Sequence, residues 1–140
     1  MWTALVSSAL RSIFVSTDEL PGLDRVDPSP AVRGLLREAP AAMWWGTVGS
    51  ALLFQILPLF LIGVPLPAAW LPARARDRHA QAMATSRIYL VRMAMVMLKT
   101  VGGLIWGQIP EVRTRLAMPL RPADPGTWRG DHFETRGGRA

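Results

Sequence analysis

Hydrophobic positions along the chain recur at helical spacing. In residues 2–15, apolar side chains such as Leu5, Leu10 and Ile13 fall close to one face of a helix, and the breaker-rich segment 16–22 ends it. No segment shows the alternation of apolar and polar residues that is typical of strands, and no internal repeat is found. The pattern predicts an all-α protein, a small bundle of about five helices.

Two long apolar segments occupy the middle of the chain. Residues 39–73 contain no charge, and within them residues 43–57 predict a helix that is apolar on every side until Pro58 kinks or ends it. Further prolines break the remainder of this stretch. In residues 87–106 the internal charges, Arg92 and Lys99, are seven positions apart and share one narrow stripe of the predicted helix.

Shorter helices are predicted around these segments. One helix is predicted to begin at Ser29 and Pro30 and to stop near residue 39. A second helix, alanine-rich and charged, is predicted to begin at Pro72 and should lie at a surface. The last helix is predicted to begin at Pro110. Residues 119–140 are rich in proline, glycine and charge, which predicts an irregular tail or one that a partner orders. We therefore expect one helical domain over residues 1–118.

The apolar segments are long enough to span a bilayer, which requires about 20 residues. A two-span hairpin would carry arginines on both sides of the membrane and would place Arg92 and Lys99 inside the second span. Three arrangements therefore remain open: a hairpin, an interfacial or single-span protein, and a bundle covered by a partner. We expect membrane association on a side that the sequence does not define, and no cleavable signal peptide.

The amino-acid composition limits the kinds of site that this chain can form. Half of the 140 residues are hydrophobic, the net charge is +6, and Lys99 is the only lysine among 16 basic residues. The absence of cysteine excludes disulfides, thiolate metal sites and covalent haem attachment. Because the arginines are scattered among alanines and not aligned beside aromatic rings, we expect no nucleic-acid partner.

No residue pattern predicts catalysis, cofactor binding or a metal site in this chain. His79 and His132 are isolated and are predicted to be solvated side chains. Gly103 and Gly107 form a G-x-x-x-G pair that permits close helix contact. The end of a helix, weakened by glycine, would explain the two glycines equally well. The residues that we predict to contact a partner or a membrane lie in the apolar segments: Met43, Trp44, Trp45, Leu53, Phe54, Leu57, Phe60, Trp70, Tyr89, Met93, Met97, Gly103, Trp106 and Gly107.

In order, the segments of this chain resemble the gluconate 2-dehydrogenase subunit 3-like family, the small helical subunits found with flavin-dependent glucose–methanol–choline (GMC) oxidoreductases. The similarity is carried by short stretches at residues 13–21, 31–40, 55–63, 86–99 and 109–116. Two positions depart from the family pattern: Trp70 replaces a phenylalanine, and Ala117-Met118 replaces a glycine-tyrosine pair.

The resemblance implies a non-catalytic accessory subunit that docks on a larger flavoprotein, stabilises it or attaches it to the membrane. FAD and the catalytic base would then belong to the partner, and this chain would bind no cofactor. The alternative is an integral membrane subunit of another complex, structural in role, with one or two transmembrane helices.

Overall fold

The computed structural model describes residues 1–117, and it confirms the all-α prediction. Within these residues there are seven α-helices and no strand, and five of the helices have seven or more residues. The predicted tail, residues 119–140, lies outside the described part of the chain. The helices are α1 (Trp2–Ile13), α2 (Ser29–Glu38), α3 (Ala41–Ile56), α4 (Pro58–Ile62), α5 (Ala73–Ala84), α6 (Tyr89–Trp106) and α7 (Pro110–Arg115), and a 3-10 turn (Ala68–Trp70) precedes α5.

Proline sets most of the helix boundaries, as the sequence predicts. Pro58 ends α3 and opens α4, and Pro110 occupies the first turn of α7. Gly63, at φ 70°, ends α4 in the left-handed conformation that glycine adopts without a steric penalty. Pro72 differs slightly from expectation, because it lies just before α5 and not at its first helical position.

The uncharged stretch 39–73 does not form one long helix. It is divided among α3, which has 16 residues, the short α4 and the 3-10 turn. Among the described residues, one helix is long and apolar enough to cross a membrane: α6, with 18 residues and a mean hydropathy of 1.3. Helix α3, with 16 residues, is shorter than the roughly 20 residues that a straight span requires.

Helix α6 is the centre of the bundle. It packs most extensively against α3 and also contacts α5 and α1, and α1 packs on α3 and α2. Leu10, Phe54, Met95 and Leu98 are among the side chains that are completely buried where these helices meet. The core therefore buries one side of α3 and one side of α6.

The loop between α1 and α2 closes back on itself. The N–H of Leu23 donates to the carbonyl of Phe14 (2.8 Å), and both the hydroxyl and the N–H of Ser16 donate to Asp24 (2.6 and 2.9 Å). Burial raises the pKa of Asp24, but the hydrogen bonds from Ser16 outweigh this and keep the pKa below its usual value. Gly22 is required here, since a Cβ would lie 2.4 Å from the carbonyl oxygen of Phe14.

Candidate docking surface

Helix α3 exposes an apolar stripe on the side that faces away from the core. Trp45 is 68% exposed, and Leu52 and Ile56 follow it at helical spacing with large exposed areas. Gly49 occupies the intervening turn. Helix α3 carries no charged residue, so no charged side chain of this helix lies beside the apolar stripe.

Helix α6 exposes a second apolar stripe. Leu90 is 65% exposed, and Met93, Val96 and Leu104 are also exposed large hydrophobic residues. Only 39% of the residues in this helix are buried inside the chain, although it is the central helix of the bundle. The bundle thus covers one side of α6 and leaves the other apolar side open.

The two stripes meet in a groove of about 650 Å³. Its floor is open because α3 contributes Gly46 and Gly49 there: a Cβ on Gly49 would meet nothing within 4 Å. We call this groove and its walls the α3/α6 surface. It is lined by Trp45, Gly46, Gly49, Ser50, Leu52, Leu53, Leu90, Met93, Ala94, Val96, Met97 and Thr100.

The two helices that form the groove carry two charged residues between them, and both residues are basic. Arg92 and Lys99, on α6, are exposed. The Arg92 guanidinium donates to the carbonyl of Ser86 (3.2 Å) and lies 5.7 Å from the centre of the Tyr89 ring. Asp and Glu are absent from both helices. Neither Arg92 nor Lys99 lines the groove, so the groove itself favours an apolar occupant.

The structure separates the predicted contact residues into three groups. The exposed ones are Trp45, Phe60, Trp70, Tyr89 and Met93. The half-buried ones, several of which pack against the core while keeping part of their surface free, are Met43, Trp44, Leu53, Leu57, Met97, Gly103, Trp106 and Gly107. Four of the predicted residues line the groove itself: Trp45, Leu53, Met93 and Met97.

Phe54 forms the third group, and its prediction as a contact residue is wrong. Its side chain has no exposed surface and packs in the core, with its ring 5.0 Å from that of His79. Trp106 also has an internal role, since its indole N–H donates to the carbonyl of Pro21 (2.7 Å) and ties the first loop to α6. Phe54 is buried because it lies on the side of α3 that faces the core. The spacing of apolar residues does not reveal this side, because α3 is apolar on every side.

The G-x-x-x-G pair is not the point of closest packing on α6. A Cβ on Gly103 would meet nothing within 4 Å, whereas one on the neighbouring Gly102 would lie 2.1 Å from the Phe14 ring. Among the described residues, the close approach of the Phe14 ring to α6 therefore requires Gly102. Gly103 is left half-buried and facing open space.

Sequence analysis missed several groove residues, notably Gly49, Leu52, Leu90 and Val96. The signal that could have found them is the spacing of residues 45, 49, 52 and 56 and of residues 90, 93, 96, 97 and 100, which defines one face of each helix. These spacings are hidden because the opposite faces are equally apolar.

His79 is not solvated, contrary to the prediction. It is completely buried, and its Nε2 lies 2.9 Å from the carbonyl oxygen of Phe54, so Nε2–H is the donor of this hydrogen bond. In a continuous α-helix that carbonyl would accept from the N–H of residue 58, but Pro58 has none. His79 therefore satisfies the carbonyl that Pro58 leaves unpaired and joins α5 to the end of α3.

We expect this histidine to make stability depend on pH. Burial lowers the pKa of His79, and the hydrogen bond to Phe54 opposes this only in part. The unfolded chain then binds a proton more readily than the folded chain below the ordinary pKa of 6.5. The free energy of unfolding should fall as the pH drops from 6.5 and level off below the folded-state pKa.

Urea denaturation of the full chain at pH 7.5 and at pH 5.5 measures this dependence. The matched variant is His79→Gln, whose amide N–H can donate to the same carbonyl but does not titrate. It should lose less stability on acidification than the natural protein. Equal losses in the two proteins would show that His79 does not cause the effect.

Among residues 1–117, no cluster of three or more histidine or carboxylate side chains is placed to hold a metal ion. No family model, no curated protein and no solved structure matches the chain. The candidate site is therefore defined by its own geometry, an apolar groove between α3 and α6.

Proposed function

We propose that this chain is a non-catalytic accessory subunit that docks through the α3/α6 surface on a larger FAD-dependent oxidoreductase of the GMC type. The observation that carries the docking proposal is the continuous exposed apolar surface of α3 and α6. The sequence resemblance supplies the class of the partner. FAD and the catalytic groups would reside in that partner.

The energetics favour a covered surface. Full burial of a large apolar side chain contributes about 1.5–3 kcal/mol, so the half-exposed members of the α3/α6 surface contribute on the order of 1 kcal/mol each when a partner covers them. Trp45, Leu52, Leu90, Met93 and Val96 all belong to this set and line one groove. Clustered in this way, they form the kind of central apolar patch that dominates binding energy in protein interfaces.

A protein partner explains α6 better than a membrane span does. Lys99 lies near the middle of α6 and would cost about 2.5–3.5 kcal/mol at the centre of a bilayer, and Arg92 would add a second charge in the first turn of the span. Helix α6 also packs against α5, which carries three arginines and an aspartate, so a spanning α6 would bring charged neighbours towards the lipid. A groove between two helices matches the shape of an amphipathic helix from another protein.

Purification of the full chain from its native source in mild detergent, through an affinity tag, tests the proposal. The expected result is a larger polypeptide that co-elutes at constant ratio and carries flavin absorbance. Denaturation should release FAD from that polypeptide and not from this chain. A colourless monomer that stays soluble without detergent would contradict the proposal.

Attachment to an anionic membrane surface is the second candidate, and a charge asymmetry favours it. Residues 39–110 hold six basic residues and a single acidic one, Asp77, whereas residues 1–38 hold four basic and five acidic ones. The exposed stripes of α3 and α6 thus belong to the basic part of the chain, as in proteins that lie on anionic lipid. Binding to phosphatidylglycerol vesicles that weakens in salt would support it, and equal binding to neutral vesicles would oppose it.

A further inference from the structure

A second pocket, of about 390 Å³, lies among α1, the start of α2 and α5. Unlike the α3/α6 groove, its lining is polar and includes Arg11, Arg76, four serines and Asp24. It has no part in the proposed docking. Most of its polar groups already have partners within the protein.

Arg76 is the group without a partner. Its Nε is buried and makes no hydrogen bond, and no carboxylate among residues 1–117 lies within ion-pair distance of its guanidinium. The neighbouring Arg11 differs, because it pairs with Asp27 at 2.8 Å. The two terminal nitrogens of this guanidinium are not closed off in this way and make no hydrogen bond within the described chain, so they are available to an acceptor that enters the pocket.

Ser8 supplies a second free donor. The side-chain oxygen of Gln55 accepts from the N–H of Ala69 (3.0 Å), which turns the amide nitrogen of Gln55 towards the Ser8 hydroxyl (3.3 Å). Ser8 is thus the acceptor in that bond, and its own O–H remains available. The carboxylate of the pocket, Asp24, is already held by the hydroxyl and N–H of Ser16.

From these donors we infer that the pocket binds a phosphate group, with the Arg76 guanidinium and the Ser8 hydroxyl as its ligands. A guanidinium presents several N–H donors in a fixed plane, which suits the oxygens of a phosphate. The pocket volume falls in the range of small-molecule sites, so it leaves room for an organic group attached to the phosphate.

Isothermal titration of the full chain with sodium phosphate, at constant ionic strength against sodium chloride, tests this inference. Saturable binding is expected, with competition by sulfate and none by acetate. Arg76→Gln should weaken it about tenfold or more, because a hydrogen bond to a charged group is lost. Arg78→Gln is the matched control: Arg78 is on the same helix but outside the pocket, and the change should be less than about twofold.

Circular dichroism establishes that each variant folds, and Ser8→Ala provides a second, milder variant that should also weaken phosphate binding. Two further titrants identify the source of the phosphate: competition by glycerol 3-phosphate indicates a small soluble ester, and competition only by vesicles that contain phosphatidic acid indicates a lipid headgroup. Absence of saturable binding at tens of millimolar phosphate would overturn the inference, as would equal effects of the Arg76 and Arg78 variants.

Discussion

Replacing Gly49 with leucine is expected to weaken partner docking by about a hundredfold, or 2.7 kcal/mol, the scale of a central interface residue. Gly49 lies in the floor of the α3/α6 groove, and a Cβ there would meet no atom of this chain within 4 Å. The leucine side chain would therefore occupy the groove without disturbing the fold. In a helix, replacement of glycine should even stabilise the isolated chain, by about 0.5–1 kcal/mol.

Gly34→Leu is the matched control. Gly34 is also a helical glycine with open space at its Cβ, but it lies on α2 and does not line the groove. Both variants gain helix propensity, and only Gly49→Leu fills the docking surface. The readout is the amount of the proposed flavoprotein partner that co-purifies with each tagged chain. If Gly49→Leu retains its partner as well as Gly34→Leu does, docking occurs elsewhere on the molecule.

Replacing Phe54 with alanine should lower the free energy of unfolding by about 3–5 kcal/mol, the cost of removing a buried aromatic ring from a core. Phe54 has no exposed surface and contacts the His79 ring, so the substitution leaves a cavity at the junction of α3 and α5. Domains are stabilised by only about 5–15 kcal/mol in total, and the variant is therefore expected to unfold at much lower urea concentration.

Phe60→Ala tests the same chemical change at a site that the sequence does not distinguish from Phe54. Phe60 is 74% exposed, so its removal should change stability by no more than about 0.5 kcal/mol. Urea denaturation of both variants gives the comparison. Similar losses at the two positions would contradict the assignment of Phe54 to the core and of Phe60 to the surface.

The order and type of the helices were predictable because their signals are local. Pro58 and Pro110 lack an N–H and have a restricted φ, so they mark helix starts whatever surrounds them. The amphipathic spacing of α1 likewise predicts its buried face, on which Leu10 is completely inaccessible. Such features depend on a few neighbouring residues and need no knowledge of the rest of the chain.

The candidate docking surface was predictable only as a pair of apolar segments. Trp45, Phe60 and Tyr89 were predicted as contacts because they lie in the apolar segments, and they are exposed, but the same criterion selected Phe54, which is buried. His79 was misjudged for a related reason. Its charged neighbours on α5 indicate solvent, whereas its role is set by the carbonyl of Phe54, which lies 25 residues away in sequence.

The sequence alone determined that this protein is helical, where most of its helices begin and end, and that it has more apolar helix surface than a small bundle can bury. Tertiary structure decided which side of α3 and α6 faces the core, and hence where the groove lies. The physical reason is that a helix with apolar residues on every side is equally stable against the core in several orientations. The packing of α1 and α5 against α6 selects among them, and the faces left open become the candidate docking surface.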